Sequence, residues 1–176
     1  MLECPRMASR SVKTLDIRVS AFVKAEAGHV YRSLTSAKEL CVWWVDKAET
    51  EARNMGRFRL VWRSQDRKKN IEATGVFVDL EREKKVAWIW DDKSRPAGLP
   101  PLVSFFIEEG EDGCEVLVVH AGFSAAASKR RMLEGFRVIW EDVIAKLKLY
   151  LESEKIAKGE LLTLKDVELL SAAEER

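Results

Sequence analysis

The side chains best suited to nucleophilic, acid–base or metal chemistry are two histidines, His29 and His120, and three cysteines, Cys4, Cys41 and Cys114. Their spacing argues against most of that chemistry. Three thiols cannot all pair, none stands in a CxxC, and the histidines are far apart, so no metal site is expected. No G-x-G-x-x-G, Walker loop or G-x-S-x-G occurs, and no cofactor is expected. His120 is the one polar side chain with a suggestive setting. In VVHAGF it shares the period-2 phase of Val116 and Val118, which turns it inward on a strand. There it is either a polar anchor for a ligand oxygen, a general base tuned by burial, or a hydrogen-bonded core histidine. No acid or nucleophile is placed beside it by the sequence, so no catalytic residue is assigned.

The aromatic residues are the stronger pointer. Six tryptophans in 176 residues exceed what filling a small core requires, and each buried indole N–H needs a partner. Trp44, Phe58, Trp62, Phe77, Trp88, Trp90, Phe105, Phe136 and Trp140, with His120, are the expected lining of an internal cavity. Against this stands the plainer possibility, shared by the neighbouring Trp43, that the rings merely pack together. Asp91 and Asp92 close a strand and either offer carboxylates at a cavity mouth or simply start a loop. Arg57, Arg59, Arg63, Arg67, Lys68 and Lys69, and the acidic tip Glu108, Glu109, Glu111 and Asp112, read as solvated faces.

The chain is 47% hydrophobic and 34% charged, with net charge +1. That balance gives no support to nucleic-acid binding, which shows as a basic excess. No apolar run approaches the ~20 residues of a membrane span. Residues 1–10 read as a loose leader rather than a secretory signal, so a cytoplasmic location is expected.

These residues need a scaffold, and the pattern supplies one. SVKTLDIRVSAFV, ending at Val23, is β-branched and alternating, a first strand. Two short helices follow, the first with Val30 and Leu34 on its apolar face. Ser36 and Glu39 have the spacing of a capping box for the second, which ends at Trp43–Trp44. Phe58, Leu60 and Trp62 alternate with Arg57, Arg59 and Arg63. Ile71–Leu80 is a strand with Gly75 inside it, a mark of a bulge, a bend or a close approach. Val86, Trp88 and Trp90 share a face, and a Pro/Gly-rich loop, Asp91 to Pro101, follows. Two more strands flank the Asp112–Gly113 turn. From about Ser128 to Glu154, apolar residues recur every three or four positions through Met132, Phe136, Trp140, Val143, Leu147 and Leu151, one long amphipathic helix. The expected architecture is α+β: a curved, mainly antiparallel sheet wrapped around a long C-terminal helix, with two short helices after the first strand. The domain is expected over 11–155, with a helical C-terminal extension over 156–176.

The segments EAGHVYRSLTSAKELCVWW, GRFRL, ATGVFVDLEREKKVAWIW, VSFFIEEGEDGCEVLVVHAGF and EGFRVIWEDVIAKLKLYL, in this order and spacing, resemble the START/Bet v 1-like (SRPBCC) superfamily. Within it they are similar to homologues of the activator of the heat shock protein 90 ATPase, over about residues 14 to 154. Each motif is largely core hydrophobics; order and spacing together carry the resemblance. It implies a helix-grip fold whose cavity takes hydrophobic or amphipathic molecules in many relatives, while a few relatives are cyclases, aromatases or hydrolases and the name-giving ones bind the chaperone. Phe136 stands where a Trp is common. The tail beyond Ser153 is longer than a minimal domain, a candidate to cover the cavity mouth or to join a homodimer.

The expected function is therefore non-enzymatic binding of a small hydrophobic or aromatic molecule between sheet and helix. The alternatives are a protein-binding regulator that resembles chaperone-ATPase activators and, third, a polyketide cyclase- or hydrolase-like enzyme using His120.

Overall fold

The computed structural model describes residues 13–63, 69–153 and 163. The expected leader, the helix expected in the C-terminal extension apart from Thr163, and Cys4, Arg67 and Lys68 lie outside the described residues. Among the described residues seven strands form one sheet: β1 (Thr14–Val23), β2 (Lys47–Thr50), β3 (Arg57–Trp62), β4 (Ile71–Glu81), β5 (Lys85–Trp90), β6 (Leu102–Glu109) and β7 (Cys114–Ser124). Their spatial order is β1-β7-β6-β5-β4-β3-β2, and every neighbouring pair is antiparallel. Helices α1 (Ala27–Thr35) and α2 (Ala37–Trp43) follow β1, and α3 (Arg130–Ser153) closes the chain's described order. This is the helix-grip α+β fold.

The alternation of apolar residues selects the inner face. On β3, Phe58, Leu60 and Trp62 are buried while Arg57 is exposed; on β7, Val116, Val118 and His120 all point inward. Helix α3 presents Ile139, Trp140, Val143, Ile144, Leu147 and Leu151 to that face, packing on β1 and β7 and touching α1 and α2. Spacings of three and four keep these side chains on one stripe. Each such side chain fully buried contributes about 1.5–3 kcal/mol, so the stripe is what holds α3 in the sheet.

Gly75 is a close approach. A Cβ there would lie 2.3 Å from the Ile89 carbonyl oxygen and 2.6 Å from the Phe58 ring, so only glycine lets β4 pass under that ring.

Three details depart from the sequence reading. The Ser36–Glu39 capping box does not form: Ser36 is the N-cap of α2 but its side chain makes no cap hydrogen bond. Glu39 instead accepts from the Ser33 hydroxyl at 2.9 Å and faces His29 and Arg32, at 3.4 Å and 3.6 Å, which draws its carboxylate back toward α1. Strand β2 was not foreseen, because KAET carries no apolar alternation; its pairing to β3 makes it a strand. The long helix starts at Arg130, since Ala127–Lys129 form a 3-10 turn that includes Ser128.

Candidate functional site

Between α3, the inner faces of β3, β4 and β7, and the β5–β6 loop lies a cavity of about 310 Å³. Trp62 and Ala73 come from β3 and β4, His120 from β7, and Phe136, Ile139, Trp140 and Val143 from α3. Trp44 closes it from the end of α2. Ser94, Arg95, Pro96 and Leu99 come from the loop, and Thr163 also reaches the wall. The inner wall is buried, while Trp90, Ile71, Phe136 and Arg95 are half-buried and Pro96 is exposed, so the cavity runs from the core toward the loop. A volume at the low end of the usual range for small-molecule sites, about 300–1,000 Å³, suits one small apolar molecule.

Of the ten residues expected to line a cavity, Trp44, Trp62, Trp90, His120, Phe136 and Trp140 do so. Phe58, Phe77, Trp88 and Phe105 do not; they form a packed aromatic cluster beside it. Phe58 lies 5.2 Å from Phe77 and 5.9 Å from Trp88, and Trp88 lies 5.3 Å from Phe105, centroid to centroid. Phe58, Phe77 and Trp88 enclose only a minor void with Trp44. The Phe58–Trp88 contact is edge-to-face and the other two are tilted, and rings packed this closely leave no room for a ligand among the four.

The tryptophan N–H groups divide sharply. Trp43 donates to the Ser33 carbonyl and Trp62 to the Trp44 carbonyl, both at 2.9 Å, and Trp140 donates to His120 Nδ1 at 3.0 Å. The indole N–H groups of Trp44 and Trp88 are buried without a partner among the described residues, as is Nε of Arg95.

His120 is fixed on both sides. An indole N–H only donates, so Nδ1 accepts; Nε2 then carries the proton and donates to the Pro100 carbonyl at 2.7 Å. Burial pushes its pKa down to about 4, and the bond to Pro100 offsets this only in part. With both nitrogens occupied, the ring has no free lone pair for a substrate proton. His120 thus ties α3 and the loop to β7 while bordering the cavity.

The loop is tethered and lines the cavity. Trp90 N–H donates to the Pro101 carbonyl and Asp91 N–H to the Thr74 carbonyl, at 3.0 Å and 2.9 Å. The Asp91 carboxylate accepts from Thr74 Oγ1 at 2.6 Å and pairs with Arg57, and these bonds hold its pKa below the usual carboxylate range. Arg95 reaches the Leu99 carbonyl and Asp92. Asp91 and Asp92 therefore brace the loop and do not line the cavity. Arg59 makes a two-pronged bond to Glu72 at 2.7 Å and 3.0 Å on the outer face, which lowers the Glu72 pKa. The hairpin acids Glu108, Glu109, Glu111 and Asp112 are exposed.

Sequence reasoning missed part of the wall. Ile71 and Ala73 were discoverable, since they continue the inward phase of Gly75 and Phe77 on β4. Ile139 and Val143 flank Trp140 at helical spacing. Arg95 gave no signal, because an arginine in a Pro/Gly loop reads as solvated. Cys114 is buried, its Sγ–H on the Ala25 carbonyl at 3.3 Å, and burial raises its pKa.

A helix-grip domain with a cavity under its long helix is what fold and site define. The family profile described as Activator of Hsp90 ATPase homolog 1-like protein matches residues 24–152, and the chain belongs to that family. No curated protein sequence matches significantly. Among solved structures the chain is similar to the Aha1 dimer from Colwellia psychrerythraea, with TM-score 0.63 and 21% identity over 82% of this chain and 99% of that one. It is also similar to a protein of Nitrosomonas europaea, with TM-score 0.65 and 21% identity over 80% and 96%. A third, from Staphylococcus saprophyticus, gives 0.68 and 17% over 85% and 100%. These likenesses establish the fold. Among the described residues no helix is long and apolar enough to cross a membrane.

Proposed function

We propose that this domain binds a small hydrophobic or aromatic molecule in the cavity between the sheet and α3. The observation that supports the reading most is the cavity of about 310 Å³ itself, bordered by Trp44, Trp62, Trp90, Phe136 and Trp140. A concave apolar wall left in contact with water is unfavourable, and a ligand that covers it recovers that hydrophobic term. The test is titration with N-phenylnaphthylamine, a neutral probe that brightens in apolar surroundings. Saturable binding that weakens in Trp90→Ala and is unchanged in Arg59→Ala, on the outer face, is the expected result.

A second reading, a protein-binding regulator of the kind the family description names, is favoured by the outer sheet face. Ile89 and Leu102 are cross-strand partners, and Phe106 continues their row; each is more than a third exposed. An exposed apolar row suits a protein surface, including a homodimer. Absence of probe binding together with stimulation of a chaperone ATPase replaces the first reading with this one.

A further inference from the structure

The cavity has an inner wall and an outer rim. Trp44, Trp62 and Trp140 are at most 6% exposed, while Trp90, Phe136 and Thr163 on the same cavity are half-buried. Thr163 reaches that rim from beyond the domain proper: the family profile ends at residue 152 and α3 at Ser153. Its place there demands a reversal of the chain. The α3 residues of the wall, Phe136 to Val143, stand ten to seventeen residues before Ser153, about 15–26 Å back along the axis. A helix continued from Ser153 would carry Thr163 about 15 Å onward instead. Ten extended residues span about 33–36 Å, so the return to the rim is within reach. Ordering a chain at an apolar opening costs conformational freedom, and covering apolar surface is the interaction that offsets it. Elsewhere on the rim the loop is pinned, Trp90 N–H to the Pro101 carbonyl and Asp91 N–H to the Thr74 carbonyl. Thr163 stands in no helix or strand, so it is the part of the wall whose position a ligand can decide.

Resting on the ligand-binding reading above, we propose that the chain beyond α3 is part of the binding site. At Thr163 it forms the outer wall against the bound apolar molecule, and ligand and chain hold each other in place. The coupling is reciprocal. The factor by which the docked chain tightens the ligand is the factor by which the ligand favours the docked chain. The site is then a composite of the helix-grip domain and the stretch that follows it, and Thr163 is a contact residue for the ligand.

The experiment places a thiol at the rim with Thr163→Cys in the full chain. Alkylation by iodoacetamide is followed by peptide mass spectrometry with and without N-phenylnaphthylamine, whose binding is read separately from its fluorescence. Cys41, half-buried on α2 and not among the described residues of the wall, is the internal reference. Saturating probe is expected to slow alkylation at position 163 about fivefold or more and to leave Cys41 within about twofold. Thr163→Asp, which sets a charge against the apolar body, should weaken the probe about tenfold without shifting the ligand-free unfolding midpoint. Hydrogen exchange on the unaltered protein reads the same coupling if a variant fails to fold: amides around Thr163 should exchange more slowly with probe bound. A probe that binds yet leaves alkylation and exchange at position 163 unchanged, or slows both thiols alike, overturns the composite site and leaves the cavity reading standing. Equal or tighter binding to Thr163→Asp does the same. Failure of the probe to bind the unaltered protein overturns both.

Discussion

The indole N–H of Trp140 and Nδ1 of His120 meet at 3.0 Å across the contact between α3 and β7. The bond fixes more than a helix position. It sets the histidine tautomer, directs the Nε2 proton to Pro100, and so couples the long helix to the β5–β6 loop through one ring. A side chain whose sequence setting suggests chemistry is thereby committed to structure.

The protonation of His120 sets one dependence on pH. Its folded pKa, about 4, lies below the ordinary 6.5, so the unfolded chain binds the proton first as pH falls. Its contribution to stability is intact above about pH 6.5 and is lost progressively between 6.5 and 4. Over that window the loss is roughly 3 kcal/mol. Asp91 and Glu72, whose pKa values are lowered, give up their contributions as pH falls further, through their own folded pKa values. Urea melts across this range should show the loss, and His120→Gln should flatten it. An imidazole that titrates near 6.5 by NMR contradicts the assignment.

Truncation of Trp140 removes a buried ring and orphans His120 Nδ1 together. Trp140→Ala is expected to cost about 3–5 kcal/mol. Trp140→Phe, which keeps most of the ring but loses the donor, should cost about 1–3 kcal/mol. Denaturant melts that register less than about 1 kcal/mol for the alanine variant would show that α3 does not depend on this plug.

Trp44 and Trp62 make a matched pair for testing the donors. The Trp62 N–H satisfies the Trp44 carbonyl, while the Trp44 N–H satisfies nothing described. Trp62→Phe should therefore be the more destabilising change by about 1–3 kcal/mol, although the two rings are similarly buried. Equal losses in thermal or urea unfolding would mean that the Trp44 donor has a partner after all.

Much of this molecule was legible in its sequence, and the unread parts share a cause. Period-2 runs such as Phe58, Leu60 and Trp62 name a buried face, and the three-and-four spacing through Trp140 names a helix stripe. The facing of His120 came from the same alternation. Periodicity fails where no face is apolar, as in β2, and where hydrogen-bond competition decides, as when Glu39 turns to Ser33 instead of capping α2. It also cannot separate the rings that line the cavity from Phe58, Phe77, Trp88 and Phe105. Empty volume is a small difference between the space enclosed and the side chains that fill it, and only the packed structure contains that difference. Arg95 escaped because its burial depends on Leu99 and Asp92, contacts no local pattern encodes.

Ala73 offers the most direct test of whether the cavity serves a ligand. It lies on β4 opposite Leu60, is 8% exposed, and borders the cavity with a side chain of one carbon. Ala73→Leu adds three carbons toward that space without touching His120, Trp140 or the loop bonds. If the space is open in solution, the added group fills it, and stability should hold within about 1 kcal/mol or rise, because voids are what such groups stabilise. Binding of N-phenylnaphthylamine should fall by about tenfold or more, since the probe and the new side chain compete for the same volume. Gly75→Ala is the contrasting change two residues along. There a Cβ meets the Ile89 carbonyl and the Phe58 ring, so it should cost about 2–3 kcal/mol by overpacking. If Ala73→Leu is instead as damaging as Gly75→Ala, the region is already filled in solution, and the ligand-binding proposal loses the observation it rests on.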